Sequence, residues 1–256
     1  MIPLTIKNKT FSGKNPKICI PITGRTEKEI LETAKRIRLL PADVTEWRAD
    51  YYEAVTDREA VRHILDSLKS LLPDSLLLFT FRTQKEGGVR PLSDKDYLEL
   101  GRTAAASGLI DLLDLELFTG TNHVSGPKRA LLTPLISLAH EWGCHVILSS
   151  HDFDQTPPED ELLRRLSLME SMEADLAKIA VMPQSETDVL ALLSATRKAA
   201  DTLSCPVITM SMGALGVISR ISGKLTGSCL TFGTAGEASA PGQLPAKILK
   251  KILEAL

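Results

Sequence analysis

The chain has 256 residues, a formal net charge of −2, 43% hydrophobic and 24% charged residues, and no run of basic residues that would mark a nucleic-acid or anionic-membrane partner. Its four cysteines, Cys19, Cys144, Cys205 and Cys229, are far apart and form no CxxC pair, so reduced core thiols in a cytoplasmic protein are expected in place of disulfides or a zinc site. The N-terminus has no signal-like apolar core, and no stretch approaches the ~20 apolar residues of a membrane span, so a soluble, unexported protein is expected.

The segment 4–11 alternates at Leu4 and Ile6 before a polar Asn-Lys-Thr turn, which predicts an extra strand or hairpin placed to cap the lower end of the main sheet. Apolar runs at 17–22, 44–48, 76–82, 110–117, 145–150, 176–181, 207–210 and 228–232 then predict eight strands. Amphipathic helical patterns fall between and after them, at 27–39, 57–71, 94–106, 128–142, 159–172, 186–203, roughly 213–221, and 244–255. Thr26, Ser93 and Ser185 stand where N-caps are expected. Eight βα units without a Ser/Gly/Pro-rich linker predict a (β/α)₈ barrel occupying residues 1–256 as a single domain. An open doubly wound sheet is the alternative, but no GxGxxG follows an early strand to support it.

In a barrel, chemistry collects at the C-terminal ends of the strands. The second strand closes with Glu46, Arg48 and Asp50, which alternation places on one face, as a polar-substrate site or as an ion-pair network. Arg82 continues the inward face of the third strand, and Glu86 follows in a loop with two glycines, where a solvated carboxylate would be equally ordinary. His151 ends the fifth strand, suited to proton transfer near neutrality. Lys178 lies in the otherwise apolar sixth strand. An ammonium among aliphatic groups loses hydration, which favours the nucleophilic amine, unless its stem lies along the strand and its head reaches water. Adjacent strands lie ~4.8 Å apart, so His151 and Lys178 would meet over one small molecule. Arg220 is suited to gripping a carboxylate, and the small-residue loop 236–243 to closing over a ligand, although both also fit surface features. The stretch from His140 to His145 is similar to HExxH, but its second histidine comes one residue late and Gly143 interrupts the helix, so no metal site is expected.

The motifs EWRADY (46–51), TFRTQKEGG (80–88), SSHDF (149–153), KIAVMP (178–183), TMSMGALGVISR (209–220) and SAPGQ (239–243) closely resemble those of type I 3-dehydroquinate dehydratases, in family order and over nearly the whole chain. The resemblance implies a cytoplasmic, homodimeric (β/α)₈ enzyme that needs no metal or organic cofactor. It would dehydrate 3-dehydroquinate to 3-dehydroshikimate, the third step of the shikimate pathway toward chorismate and the aromatic amino acids. By position it makes Lys178 the Schiff-base lysine, His151 the general acid/base and Glu86 the carboxylate that tunes it. Glu46, Arg48 and Arg82 would bind ring hydroxyls, Arg220 the substrate carboxylate, and Ser239 and Gln243 would close over the substrate. Some relatives carry a serine at the end of the first strand where this chain has Pro21, with Thr23 nearby, so that contact departs from the pattern. No fused shikimate dehydrogenase is expected after Leu256. Schiff-base aldolases also place a lysine on a barrel strand, and a ligand-binding barrel without turnover would retain the pocket; the Lys178, His151 and Glu86 set favours the dehydratase.

Overall fold

A computed structural model of the protein describes residues 1–118, 126–236 and 239–256. Strands β1 (Leu4–Ile6) and β2 (Lys9–Phe11) form an antiparallel hairpin that precedes the barrel. The barrel strands are β3 (Lys17–Ile22), β4 (Val44–Arg48), β5 (Leu76–Thr80), β6 (Leu112–Glu116), β7 (His145–Asp152), β8 (Leu176–Val181), β9 (Val207–Ser211) and β10 (Leu230–Thr234). They pair in parallel in the order β10-β3-β4-β5-β6-β7-β8-β9. At the seam between β9 and β10 the Cys229 amide donates to the Val207 carbonyl at 2.9 Å, and the Thr209 amide to Ser228 Oγ at 3.0 Å. The result is the expected (β/α)₈ barrel.

Helices α1 (Glu27–Ile37), α2 (Arg58–Leu71), α3 (Asp94–Ala106), α4 (Gly126–Glu141), α5 (Glu159–Ser171) and α6 (Glu186–Thr202) follow β3 to β8 in turn. Their starts are set locally. Thr26 Oγ1 accepts from the Glu29 amide while Glu29 accepts from the Thr26 amide, Ser185 and Asp188 repeat that capping box, and Ser93 accepts from the Asp96 amide. Each such cap is worth about 1 kcal/mol.

Alternation along the strands makes two cores. Outward residues such as Ile20, Trp47, Phe79, Leu148 and Ile179 pack under the helices. Inward residues are stratified from bottom to top. Val44 lies below Glu46 and Arg48, Leu76 and Leu78 lie below Thr80, and Leu112 lies below Asp114 and Glu116. Ile6 and Phe11 of the hairpin join the apolar lower layer, so the hairpin plugs the barrel bottom as expected. The charged upper layer therefore rests on a dry floor.

Several boundaries differ from expectation, each for a physical reason. The strand at 76–82 ends at Thr80, and the strand at 44–48 gives way to a 3₁₀ turn, Ala49–Tyr51, so Asp50 is not a strand residue. It folds back instead, and Arg48 donates to both of its oxygens at 2.8 Å. The helix expected over 213–221 is reduced to α7 (Val217–Ile221), followed by the short α8 (Gly223–Thr226). A tight turn intervenes, with Gly213 at φ 71° and Gly216 so near the Ser211 carbonyl that a Cβ would lie 2.2 Å from its oxygen. The last helix, α9, spans Ala246–Ala255, because Leu244–Pro245 adds a short parallel strand, β11, to β10. After α4, Gly143 adopts φ 73° and separates His140 from His145; the two rings instead share the Asp175 carboxylate, at 2.8 and 3.0 Å.

Phe11 is fully buried beneath the barrel, so Phe11→Ala should cost about 3–5 kcal/mol. Urea unfolding would show a lower midpoint at constant slope, and an unchanged midpoint would mean that the plug carries no core.

Candidate active site

Lys178 occupies the middle of β8, facing inward, with 3% of its surface exposed. Its surroundings differ from the aliphatic pocket that the sequence implies. Nζ lies 3.0 Å from Asp114 Oδ2 and 3.9 Å from Glu46 Oε1, and it stands 4.8 Å from the centre of the Phe232 ring. The amine is thus held by a carboxylate from β6 and the face of an aromatic ring from β10, an arrangement that satisfies a buried cation.

Arg82 organises the charges around it. Nη2 donates to Asp114 Oδ1 at 2.8 Å, and Nη1 donates to Glu116 Oε1 at 3.0 Å and Ser149 Oγ at 3.1 Å. Ser149 in turn donates to Asp114 at 2.7 Å. Burial alone would raise the Asp114 carboxyl, but Arg82 and Lys178 on either side hold it down to about 2. Burial also opposes the charge on Arg82, and the carboxylates of Asp114, Glu116 and Glu86 outweigh it. Arg82 borders the cavity, yet these bonds commit its guanidinium to protein carboxylates, which makes it more a frame than a free ligand hook. Glu46 accepts from Thr80 Oγ1 at 2.9 Å, and Arg48, clamped by Asp50, stacks 5.1 Å from the Tyr51 ring centre.

His151 lies two residues above Lys178 in the β7–β8 register, since Ser149 pairs with Lys178 and His151 with Ala180. Its Nδ1 lies 2.9 Å from Glu86 Oε2, which also accepts from the His151 amide at 3.0 Å. An ionised carboxylate only accepts, so Nδ1 carries the proton and Nε2 is left as the basic nitrogen. Burial and the positive charges of Arg82, Lys178 and Arg48 push the imidazole well below its ordinary range, with Glu86 opposing them. The loop bearing Glu86 needs both of its glycines. A Cβ on Gly87 would strike the Phe153 ring at 2.3 Å, and one on Gly88 the Arg82 carbonyl oxygen at 1.8 Å.

Glu46, Arg48, Arg82, Glu86, His151, Lys178, Ser239 and Gln243 all line one cavity at the C-terminal mouth, about 570 Å³ counting its opening. The Ser239 amide donates to Gln243 Oε1 at 3.0 Å and Gln243 Nε2 to Ser239 Oγ at 3.0 Å, so this part of the loop is tied to itself. Glu237 and Ala238 lie outside the described residues. Arg220 stands behind the wall rather than in it. It is 2% exposed, its Nη2 donates to the Pro241 carbonyl at 2.7 Å, and its Nε has no partner among the described residues. Burial, with no carboxylate beside it among the described residues, lowers the guanidinium to about 10. Pro21 is buried in β3 opposite Glu46, and neither it nor Thr23 borders the cavity. Sequence reading missed Asp114 and Glu116. Their signal was present as acids two residues apart on an otherwise apolar strand, the same spacing that singled out Glu46 and Arg48.

A parallel barrel whose mouth holds a buried amine, a carboxylate-braced imidazole and paired charges is a barrel enzyme working on a small polar molecule. The type I 3-dehydroquinase family model matches residues 18–256. A 3-dehydroquinate dehydratase of Listeria welshimeri is 45% identical over all of this chain and 98% of its own, and that of Bacillus subtilis is 45% identical over 99% and 96%. The crystal structure of type I 3-dehydroquinate dehydratase from Clostridium difficile with covalent modified comenic acid superposes with a TM-score of 0.93, at 42% identity over 100% of this chain and 98% of that one. The chain belongs to the type I 3-dehydroquinase family.

With burial and three cations acting on it, His151 should titrate below the ordinary 6.5 of an imidazole, so its neutral base form persists at pH values where a free imidazole is protonated. Ring-proton NMR of the free protein would measure this, and a midpoint at or above 6.5 would contradict it.

Proposed function

We propose that this protein dehydrates 3-dehydroquinate to 3-dehydroshikimate through an imine on Lys178, at the third step of the shikimate pathway. The observation that carries the reading is a buried lysine on β8 sharing one cavity with a histidine braced by Glu86. The structure of the Clostridium difficile relative with covalent modified comenic acid supports covalent chemistry in this family.

The C2 proton of 3-dehydroquinate lies beside a ketone and is weakly acidic, so its removal needs an electron sink. Lys178 supplies one by adding to C3 and losing water to give an iminium. Asp114, held at about 2, is too weak a base to take the lysine's proton near neutrality. His151 therefore handles the proton transfers, and Asp114 stays an anion facing the nitrogen as ammonium and then as iminium. His151 Nε2 next removes the C2 proton, leaving an enamine. The enamine expels the C1 hydroxyl, which leaves as water with a proton returned by His151. Hydrolysis of the conjugated iminium frees the product and the lysine.

Glu46 and Arg48 bind ring hydroxyls from the β4 edge of the cavity, with Arg82 framing them. Arg220 takes the substrate carboxylate when the loop carrying Pro241, Ser239 and Gln243 adjusts over it. The support is its guanidinium, buried, among the described residues, without a carboxylate and with Nε unpartnered, which an anion would satisfy. The same reading carries a catalytic unit of residues 1–256, a homodimer, and a cytoplasmic setting in which the four free cysteines stay reduced.

Borohydride added during turnover should fix an adduct on Lys178, seen by peptide mass spectrometry; an unmodified Lys178 in active protein would sink the imine. His151→Ala should still accumulate the adduct while dehydration slows by roughly 10²–10⁴-fold. Arg220→Gln should raise KM by roughly 10- to 100-fold, from loss of a charge-assisted pair worth about 1.5–3 kcal/mol. An unchanged KM would remove Arg220 from carboxylate binding.

A further inference from the structure

Glu116 does not border the catalytic cavity, yet it is fully buried at the end of β6 and accepts three hydrogen bonds from the chain segment that leads to Glu86. Oε1 accepts from the Thr83 amide at 2.7 Å and from Arg82 Nη1 at 3.0 Å, and Oε2 accepts from Thr83 Oγ1 at 2.6 Å. The Glu116 amide donates to Tyr97 Oη at 2.8 Å, which ties this strand end to α3.

Thr83 is the hinge of the next turn. The amides of Glu86 and Gly88 both donate to its carbonyl, at 3.0 and 2.8 Å, and it precedes the 3₁₀ turn Gln84–Glu86. On the opposite side Asp50 accepts from the Arg82 and Val89 amides at 3.4 and 3.3 Å. The loop is thus gripped at its base by two buried carboxylates. The bonds Glu116 makes to Thr83 are shorter than those Asp50 makes to the backbone, and they bear on the residue from which the turn to Glu86 is suspended.

We infer that Glu116 is a positioning residue: by holding Thr83 it sets the 3₁₀ turn that aims Glu86 at His151 Nδ1, and so determines the basicity and orientation of the imidazole. This deepens the dehydratase reading and rests on it for the role of His151. A purely structural Glu116 would serve only to balance Arg82, and the Thr83 hydroxyl would then be irrelevant to His151. Among the described residues, the charged groups acting on the His151 ring are Glu86 from the loop after β5, Arg82 just beyond β5, Lys178 from β8 and Arg48 from β4. Of these, only Glu86 favours the imidazolium, so loosening Glu86 lowers the titration midpoint.

The test compares Thr83→Val, which keeps every charge, with Glu116→Gln, each made in the full chain with Glu86 intact and again with Glu86→Gln. With Glu86 intact, both substitutions should lower the His151 midpoint in NMR titration of the free protein. They should also lower kcat on 3-dehydroquinate by roughly 10-fold, within the usual coupling between hydrogen-bonded groups, with KM nearly unchanged. In the Glu86→Gln background Thr83→Val should shift neither quantity further. A His151 midpoint indifferent to Thr83→Val, or an equal shift with and without Glu86, would overturn the inference. Because the titration needs no substrate, wild-type protein inert toward 3-dehydroquinate would count against the dehydratase reading while leaving the positioning test in force.

Discussion

The buried pair of Arg82 and Asp114 is the interaction on which the barrel mouth depends. An isolated charge removed from water in this layer would cost several kcal/mol, so each must find a partner of opposite sign with good geometry. Arg82 meets that demand for Asp114 and Glu116 together, and Asp114 does so for Arg82 and Lys178. Such a network adds little net stability compared with an apolar core. What it confers is orientation: each side chain is fixed by the others before any substrate arrives, which is the preorganisation on which electrostatic catalysis relies.

The floor beneath the network makes this possible. Phe11 and Ile6 of the N-terminal hairpin close the lower barrel among Val44, Leu78, Leu112 and Ile147, so the charges face an apolar base and a polar opening. The low dielectric on one side strengthens the ion pairs and makes any unpaired group expensive. Arg220 is the exception in this part of the fold. Its buried guanidinium is balanced by a carbonyl of the loop above it and, among the described residues, by no carboxylate, an arrangement suited to a ligand bringing its own negative charge.

Much of this was legible in the chain before folding. Alternation identified Glu46, Arg48, Arg82 and His151 as inward residues at strand ends, and the lone charge in an apolar run identified Lys178; all five line the cavity. Asp114 and Glu116 were overlooked because acids two residues apart on a strand have no chemistry of their own until a partner is known. The expected desolvation of Lys178 by aliphatic neighbours was misplaced for the same reason, since the carboxylate beside it comes from another strand. Asp50 was read as a strand residue because alternation was carried two positions past the point where the backbone turns. The short strand at Leu244–Pro245 was hidden within a helical pattern because its pairing with β10 is long-range in origin.

By itself, the sequence determined the order of the eight barrel strands and of the helices α1 to α6 between them, the inward or outward sense of the barrel-strand residues, and the helix starts at Thr26, Ser93 and Ser185. These are local properties, governed by backbone periodicity and by side chains within four positions of each other. Tertiary structure alone decided who pairs with whom. Lys178 meets Asp114 from 64 residues away and His151 meets Glu86 from 65, because strand register and barrel closure bring those ends together. Register is fixed by the fit of the whole inner and outer cores, and no short stretch of chain contains that information.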